Sequence, residues 1–398
     1  MEDTILVVNC GSSSLKVALF DINLRQLTSA LAERIGKSDA FARITGHSRD
    51  IPLQSGAGHR DALQALVSAF RELSLLTSPP VAIGHRVVHG GETFREAALI
   101  DDSVRQAIED CAGLAPLHNP VNLTGIDATT ELFPDVPQVA VFDTAFHQTL
   151  PRHAYLYALP YRFYRDWGVR RYGFHGTSHN FMATETARLL GKAPGETSII
   201  SAHLGNGCSI TAIRDGISVD TSMGLTPLEG LVMGTRSGDI DPGLFEFLET
   251  KDISAESLHR ILNNESGLLG LSEKTNDMRT LSELADQGHE PSIVAIEVFC
   301  FRLARYISAM MASLRELDAL VFTGGIGENS AMVRAKTLSH LHLTGFAIAP
   351  SLNRQHGNKT DGRINREDSR FKVMVIPTNE ERVIAREALE TSGTVSHS

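Results

Sequence analysis

Three turns of small residues, each closing an apolar run, are the segments of this chain best suited to hold a phosphate. Asn9-Cys10-Gly11-Ser12-Ser13-Ser14 follows the run 5–8, His203-Leu204-Gly205-Asn206-Gly207-Cys208 follows 199–202, and Thr323-Gly324-Gly325-Ile326-Gly327-Glu328-Asn329 follows 319–322. Small side chains let backbone N–H groups approach phosphate oxygens closely. The third turn leads into a helical-looking stretch, 331–338, and strand, glycine turn and helix N-terminus together form a natural nucleotide site. Taken singly, each turn is also what an ordinary hairpin requires. The full P-loop pattern, a glycine followed after four spacer residues by Gly-Lys-Ser/Thr, is absent, so a nucleotide must be held by several turns together.

Charged and ring-bearing residues supply the second kind of chemistry. In Gly84-His85-Arg86-Val87-Val88-His89-Gly90-Gly91-Glu92, strand alternation sends Arg86 and Val88 to one face and the histidines towards the other. A guanidinium grips a carboxylate or phosphate bidentately, and a valine beside it meets a short aliphatic tail, although a surface arginine next to a core valine fits the same pattern. His85 and His89 are four residues apart but lack the glutamate of a metalloprotease motif, and they read as structural. The run 139–142 ends in Asp143, at the kind of strand terminus that serves metal binding or base catalysis, or else caps a helix. Within Arg170-Arg171-Tyr172-Gly173-Phe174-His175-Gly176-Thr177-Ser178-His179, His175 is a candidate donor to a transferring phosphoryl group and Phe174 a candidate apolar wall. Arg236 sits in the small-residue loop Met233-Gly234-Thr235-Arg236-Ser237-Gly238, for anion binding or for a salt bridge to Asp239 or Asp241. In Leu114-Ala115-Pro116-Leu117-His118-Asn119-Pro120, the two prolines predict an extended segment displaying His118.

These residues need elements to position them. The first two turns each join two apolar strands, and at one fixed offset Ile5 meets Ile199, Gly11 meets Gly205, Ala18 meets Ala212 and Asp21 meets Asp215. Such a match reads as a duplicated strand-turn-strand unit, one copy opening each of two domains. A length of 398 residues agrees with two cores, between which a cleft is available. Helical periodicity is clearest over 292–317 and 380–389, and the polar stretch 359–370 reads as a loop. With 42% hydrophobic and 21% charged residues the chain is an ordinary globular one, and a net charge of -10 excludes a general affinity for nucleic acid or anionic membrane. Four scattered cysteines form neither a disulfide framework nor a zinc site, and the spacing of the 16 histidines lacks a ligand cluster. The acidic N-terminus and the lack of an apolar run of ~18 residues predict a cytoplasmic protein.

In this order the motifs closely resemble the acetate kinase family, from Ile5 to Pro377-Thr378-Asn379-Glu380-Glu381. That family belongs to the sugar kinase, Hsp70 and actin superfamily. The resemblance therefore implies an α/β chain of two duplicated ribonuclease H-like domains, 1–147 plus 381–398 and a nucleotide-binding 148–380, with an interdomain nucleotide cleft. It implies reversible transfer of the ATP γ-phosphoryl group to acetate, giving acetyl phosphate and ADP by direct in-line transfer. Propionate kinase shares every phosphate-binding element and would differ around Val88; an actin-like or chaperone-like ATPase is the alternative of another class. Carried over by residue, Asn9 and Glu380 hold Mg2+, or Mn2+ in its place, while Ser12, Ser13, Ser14 and Lys16 face the phosphates. Nucleotide meets His203, Leu204, Gly205, Asn206 and Gly207, then Asp277, Met278 and Arg279, then Gly325, Ile326, Gly327, Glu328 and Asn329. Arg86 and Arg236 clamp the carboxylate and the γ-phosphoryl group, His175 stabilises the transition state and Asp143 is the acid near the metal. Val88, Leu117, Phe174 and Pro227 form the pocket for the acyl methyl. A carboxylate with a pKa of ~4 to 5 is ionised at neutral pH and needs no general base. Cys10 and Cys208 fill small turn positions as packing residues, and the family implies a homodimer with no membrane or nucleic-acid partner.

Overall fold

A computed structural model describes residues 3–47, 50–116 and 118–393. The chain divides into two compact units, one holding it up to Phe146 and again from Asn379, the other His147–Thr378. The junctions lie one and two residues from the expected ones, which puts Glu380 in the same unit as Arg86 and Asp143.

In the first unit a sheet is built from β1 (Thr4–Gly11), β2 (Ser14–Asp21), β3 (Gln26–Glu33), β4 (Phe41–Ile44), β5 (Ile51–Pro52), β6 (Ala82–Val87), β7 (Ala98–Leu99) and β8 (Gln138–Phe142). Their order is β5-β4-β3-β2-β1-β6-β8-β7. In the second unit β9 (Ile199–Leu204), β10 (Cys208–Arg214), β11 (Ile217–Thr221), β12 (Ala319–Thr323) and β13 (Lys372–Val375) lie in the order β11-β10-β9-β12-β13. The inner strands β3-β2-β1-β6-β8 repeat that plan: two antiparallel pairs, then two parallel ones. Each unit is thus a copy of one α/β plan.

The copies differ by one residue in the opening hairpin. Gly11 pairs with Ser14 across Ser12 and Ser13, whereas Leu204 pairs with Cys208 across three residues. The longer turn slips the return strand, so that Ala18 faces Val7 while Ala212 faces Ile200 rather than Ser201. A fixed sequence offset therefore holds for the outgoing strand and fails by one on the return. Such a slip exchanges the faces of a strand. It is tolerated because β10 is buried along nearly its whole length, leaving no polar face to misplace.

Alternation along the strands of the first unit divides its core in two. Leu6, Val8, Leu15, Val17 and Ile83 pack towards helix His59–Glu72 through Leu63, Leu66, Val67 and Phe70. Ile5, Val7, Ala18, Phe20, Ala82, Val139 and Val141 pack on the opposite face with Ile384, Ala385 and Ala388 of helix Glu380–Thr391. Gly84 is required for that contact, since a Cβ there would lie 2.7 Å from Ile384 Cγ2 and 3.0 Å from its carbonyl oxygen. Among the described residues no helix is long and apolar enough to cross a membrane.

Three local expectations change. The long helix is Glu290–Met311 and stops short of Leu317, because Ser313 is drawn off by Asp220, which accepts from its Oγ at 2.9 Å, and by Arg214, which donates to its carbonyl. The segment before Pro120 is not extended: His118 N and Asn119 N both donate to Ala115 O, and Pro120 lies in the first turn of helix Asn119–Leu132, where its missing N–H costs nothing. The glycines after β12 are themselves a short helix, Gly324–Asn329, followed by Ala331–Leu338.

His85 is structural. Its Nε2 lies 2.7 Å from Gln138 Oε1 and 3.2 Å from Thr129 Oγ1 in a fully buried site. Burial holds its pKa at about 4, with the Gln138 bond opposing. A histidine depressed on folding stabilises the fold above its ordinary range and loses that contribution as pH falls towards the folded value, here up to about 3 kcal/mol. Chemical denaturation between pH 7 and 4 should accordingly show a shallower acid loss in His85→Gln than in the parent chain; parallel curves would exclude His85 as the titrating group.

Candidate active site

The same alternation that splits the core collects the charged residues of the first unit. Asn9 continues the Ile5 and Val7 side of β1, Lys16 precedes Ala18 on β2 and pairs with Asn9, and Arg86 and Asp143 continue the corresponding sides of β6 and β8. All therefore lie on the face covered by the helix that begins at Glu380, at or near the carboxyl ends of the parallel strands. Register places Asp143 one step past the Val87–Phe142 pair, with its N–H donating to Val87 O at 2.9 Å.

Arg86 donates to Asp143 in fork-to-fork geometry, Nε to Oδ1 at 3.0 Å and Nη2 to Oδ2 at 2.6 Å. The Asp143 side chain is 1% exposed, so it is a buried carboxylate satisfied by one guanidinium rather than a helix cap. Burial works against the charge on Arg86, but Asp143, Glu380 and Glu381 outweigh it and hold the pKa above its ordinary value. Glu380 is different. Its Oε1 is buried without a hydrogen-bond partner, and burial pushes its pKa up to about 7, with Arg86 opposing and Asp143 adding to the rise. Lys16 forms an ion pair with Glu381.

Among the described residues no group of three or more His, Cys, Asp or Glu is arranged to hold a metal ion. A magnesium ion does not require one, since it takes one or two protein oxygens and draws the rest from water and phosphate. The unsatisfied Glu380 oxygen, with the Asn9 amide on the same sheet face, fits such a hard cation.

Two residues that the sequence did not single out anchor this region. Asn122 accepts from Val88 N at 3.1 Å and donates to Cys10 O at 3.1 Å, tying the segment after β6 to the end of β1. Asn119 accepts from His89 N and donates to His89 O and Ile108 O. The signal available was their position in the first turn of a helix just after a proline-bracketed segment. Val88 is buried at 7% exposure, and Leu117 lies outside the described residues. Burial pushes the Cys10 thiol up to about 12, which leaves it a packing residue. Ser12 and Ser13 are exposed at the hairpin tip and Ser14 is half-buried, while His59 Nε2 contacts Gly11 O at 2.7 Å.

The second unit contains a cavity of about 640 Å3, within the range of small-molecule sites. Gly205, Asn206, Asp277, Met278, Arg279, Gly325, Ile326 and Asn329 line it, so all three sequence-distant segments meet. Asn276, Ser282, Glu283, Asp286 and Ser330 also line it and were missed; Arg279, Ser282, Glu283 and Asp286 share one face of helix Met278–Asp286 at helical spacing. Asp277 caps that helix through Thr280 N at 2.9 Å. His203, Leu204, Gly207, Gly327 and Glu328 are not among the lining residues. Leu204 is core, and Glu328 Oε1 accepts from Gly324 N and Thr378 N, bracing the glycine turn.

Gly207 marks a second cluster. A Cβ there would lie 2.7 Å from Arg236 Nη2 and 3.4 Å from His175 Nε2, so glycine permits both to approach the turn. Arg236 Nη1 donates to Pro227 O at 2.5 Å. Asp239 is engaged elsewhere, with Arg302, Tyr306 Oη and Gly230 N, and Asp241 accepts from Gly243 N. Phe174 is fully buried and its carbonyl lies 2.9 Å from His147 Nε2. Burial pushes the Cys208 thiol up to about 12 against the pull of Arg236.

Comparison with known proteins bears directly on this arrangement. The family model described as the acetokinase family matches residues 4–386. A protein of Ectopseudomonas mendocina named acetate kinase is 53% identical over 388 residues, covering 97% of this chain and 98% of its own. Among solved structures, a propionate kinase from Francisella tularensis is 44% identical with a TM-score of 0.93, and the acetate kinase of Porphyromonas gingivalis is 38% identical with a TM-score of 0.90; both cover 98% of this chain and 99% of their own. A match of this extent makes the chain a member of the acetokinase family.

Proposed function

We propose that this chain transfers the γ-phosphoryl group of ATP to acetate, giving acetyl phosphate and ADP, and catalyses the reverse reaction. The observation that carries this reading is the buried Arg86–Asp143 pair with the unsatisfied Glu380 oxygen in electrostatic reach, in a chain of this family. Transfer to a carboxylate needs alignment and charge neutralisation more than covalent help. An ionised carboxylate is its own nucleophile, so the acceptor side must supply a fixed cation. Asp143 takes the Nε and Nη2 edge of Arg86 and holds the guanidinium in plane, leaving Nη1 to receive the acetate carboxylate. Asp143 thereby acts through the arginine it orients, with no proton to remove. Val88 supplies an apolar contact for the methyl group. In the second unit the cavity around Met278, Gly325 and Ile326 suits the nucleoside, and Arg236 and His175 beside Gly207 suit the γ-phosphoryl group. Mg2+ held by Asn9 and Glu380 would neutralise phosphate charge. Family precedent supports a homodimer.

A second reading, propionate as acceptor, draws on the likeness to the Francisella propionate kinase. One methylene in an apolar pocket is worth ~1 to 3 kcal/mol, so propionate is expected as the poorer substrate while Val88 is present.

Incubation with Mg-ATP and acetate, propionate, butyrate or glycerol, with hydroxylamine present, should trap acetyl hydroxamate most rapidly; no hydroxamate from any acid would exclude the reading. Arg86→Lys keeps the charge and loses the fork, and kcat/KM for acetate should fall by about 10²-fold with little change in thermal midpoint. Arg86→Ala should in addition lower stability by roughly 3 kcal/mol, because it strands the buried Asp143 carboxylate. Val88→Ala should move the propionate-to-acetate ratio of kcat/KM upwards by about 10-fold or more, and an unchanged ratio would remove Val88 from the acyl pocket.

A further inference from the structure

His175 has φ of 55°, immediately before helix Gly176–Leu190. A non-glycine residue in that left-handed region is strained and persists where surrounding contacts over-determine it. One such contact is visible. His175 Nδ1 lies 2.9 Å from Ser209 Oγ, the same hydroxyl lies 2.8 Å from His179 Nε2, and His179 Nδ1 lies 2.9 Å from Ser201 Oγ. His179, Ser201 and Ser209 are fully buried, and His179 stands one helical turn beyond His175. His203 stacks on His175 with centroids 4.3 Å apart and is itself held through Nδ1 by Ser178 Oγ at 2.8 Å.

The chain of bonds has a polarity. A serine hydroxyl carries one proton and two lone pairs, so Ser209 either donates to one ring and accepts from the other, or accepts from both, in which case His175 carries its proton on Nδ1. Burial, and then the neighbouring His147 and His203, keep the pKa of His179 well below its ordinary range, so His179 has a single N–H to place. In one polarity Ser201 donates to His179 Nδ1, His179 Nε2–H donates to Ser209, and Ser209 donates to His175 Nδ1. The proton of neutral His175 is then on Nε2. In the opposite polarity every bond reverses and His175 Nε2 carries no proton.

The Nε2 edge is the one that matters, because it approaches Gly207, which the Arg236 guanidinium approaches as well. A lone pair there would repel the oxygens of an anion gathered by Arg236, whereas an N–H would bind them. We propose that Ser201, His179 and Ser209 form a relay that fixes His175 as its Nε2–H tautomer, so that the ring presents a donor to the phosphoryl group; this rests on the role given to His175 above. Ser209 and His179 are positioning residues that act through the His175 ring.

Nitrogen NMR of the full chain labelled with 15N-histidine reads the tautomers directly. Nδ1 unprotonated and Nε2 protonated in both His175 and His179 is the expected result, and a proton on Nδ1 of His175 would overturn the proposal. Ser209→Ala should give His175 a mixture of tautomers and lower kcat for acyl phosphate formation by about 10- to 100-fold, with KM for ATP and acetate changed less than about twofold. Ser209→Thr, which restores the hydroxyl, should recover both properties; unchanged tautomers and unchanged kcat in Ser209→Ala would refute the relay. Should Ser209→Ala fail to fold, His179→Gln retains an amide donor and should preserve the parent tautomer of His175, while its loss there would count against the relay. A parent chain that forms no acyl phosphate would defeat the functional reading alone, and the tautomers would still decide for or against the relay.

Discussion

A carboxylate buried as deeply as Asp143 needs a cation held beside it in good geometry, and much of the first unit serves that constraint. The cation comes from the neighbouring parallel strand, and the register that pairs Val87 with Phe142 is what allows the two forks to meet. A slip of one residue would send Arg86 to the other face of the sheet, against Val87, Ala140 and Phe142. Removing charges from water is costly, and the pair repays that cost only while both hydrogen bonds are kept. The Asn122 bridge from Val88 N to Cys10 O, together with the close approach of helix Glu380–Thr391 at Gly84, holds the surrounding backbone in that register.

Glu380 draws on the same environment with the opposite outcome. It lies within the field of Arg86, but Asp143 has already taken that guanidinium, and burial leaves its Oε1 unsatisfied. A buried oxygen without a partner at the first residue of a helix costs stability, and a divalent cation is a partner that would offset that cost.

The duplicated sheet plan carries different chemistry in its two copies. At the strand ends of the first unit the clustered groups are ions, Arg86, Asp143, Glu380 and Lys16 among them. In the second unit they are glycine turns, a cavity and a set of histidines joined by serines. Nucleotide phosphates are bound well by backbone N–H groups and by neutral donors that do not pay the desolvation cost of a buried charge. One architecture thus presents two different sets of groups, because the strands set positions while the residues at their ends remain replaceable.

By itself the sequence determined what depends on residue type and near neighbours. Small residues after apolar runs marked the turns, the hairpin match revealed the duplication, and the acid at the end of a buried strand marked Asp143; Arg86, His175 and Arg236 were legible as candidates for the same reason. The family resemblance added roles for Asp277 and Met278, which have no local signal. Tertiary structure alone decided which of these side chains meet. Arg86 and Asp143 are 57 positions apart and pair only because β6 and β8 are parallel neighbours. Asn119, Asn122, Ser201 and Ser209 are unremarkable until folding gives their side chains partners, and strand β13 is too short to announce itself without β12 beside it. The long helix ends at Met311 rather than Leu317 because distant groups capture Ser313. Local propensity acts over a few residues, whereas hydrogen-bond satisfaction in a buried site is settled by whatever the whole chain brings within about 3 Å.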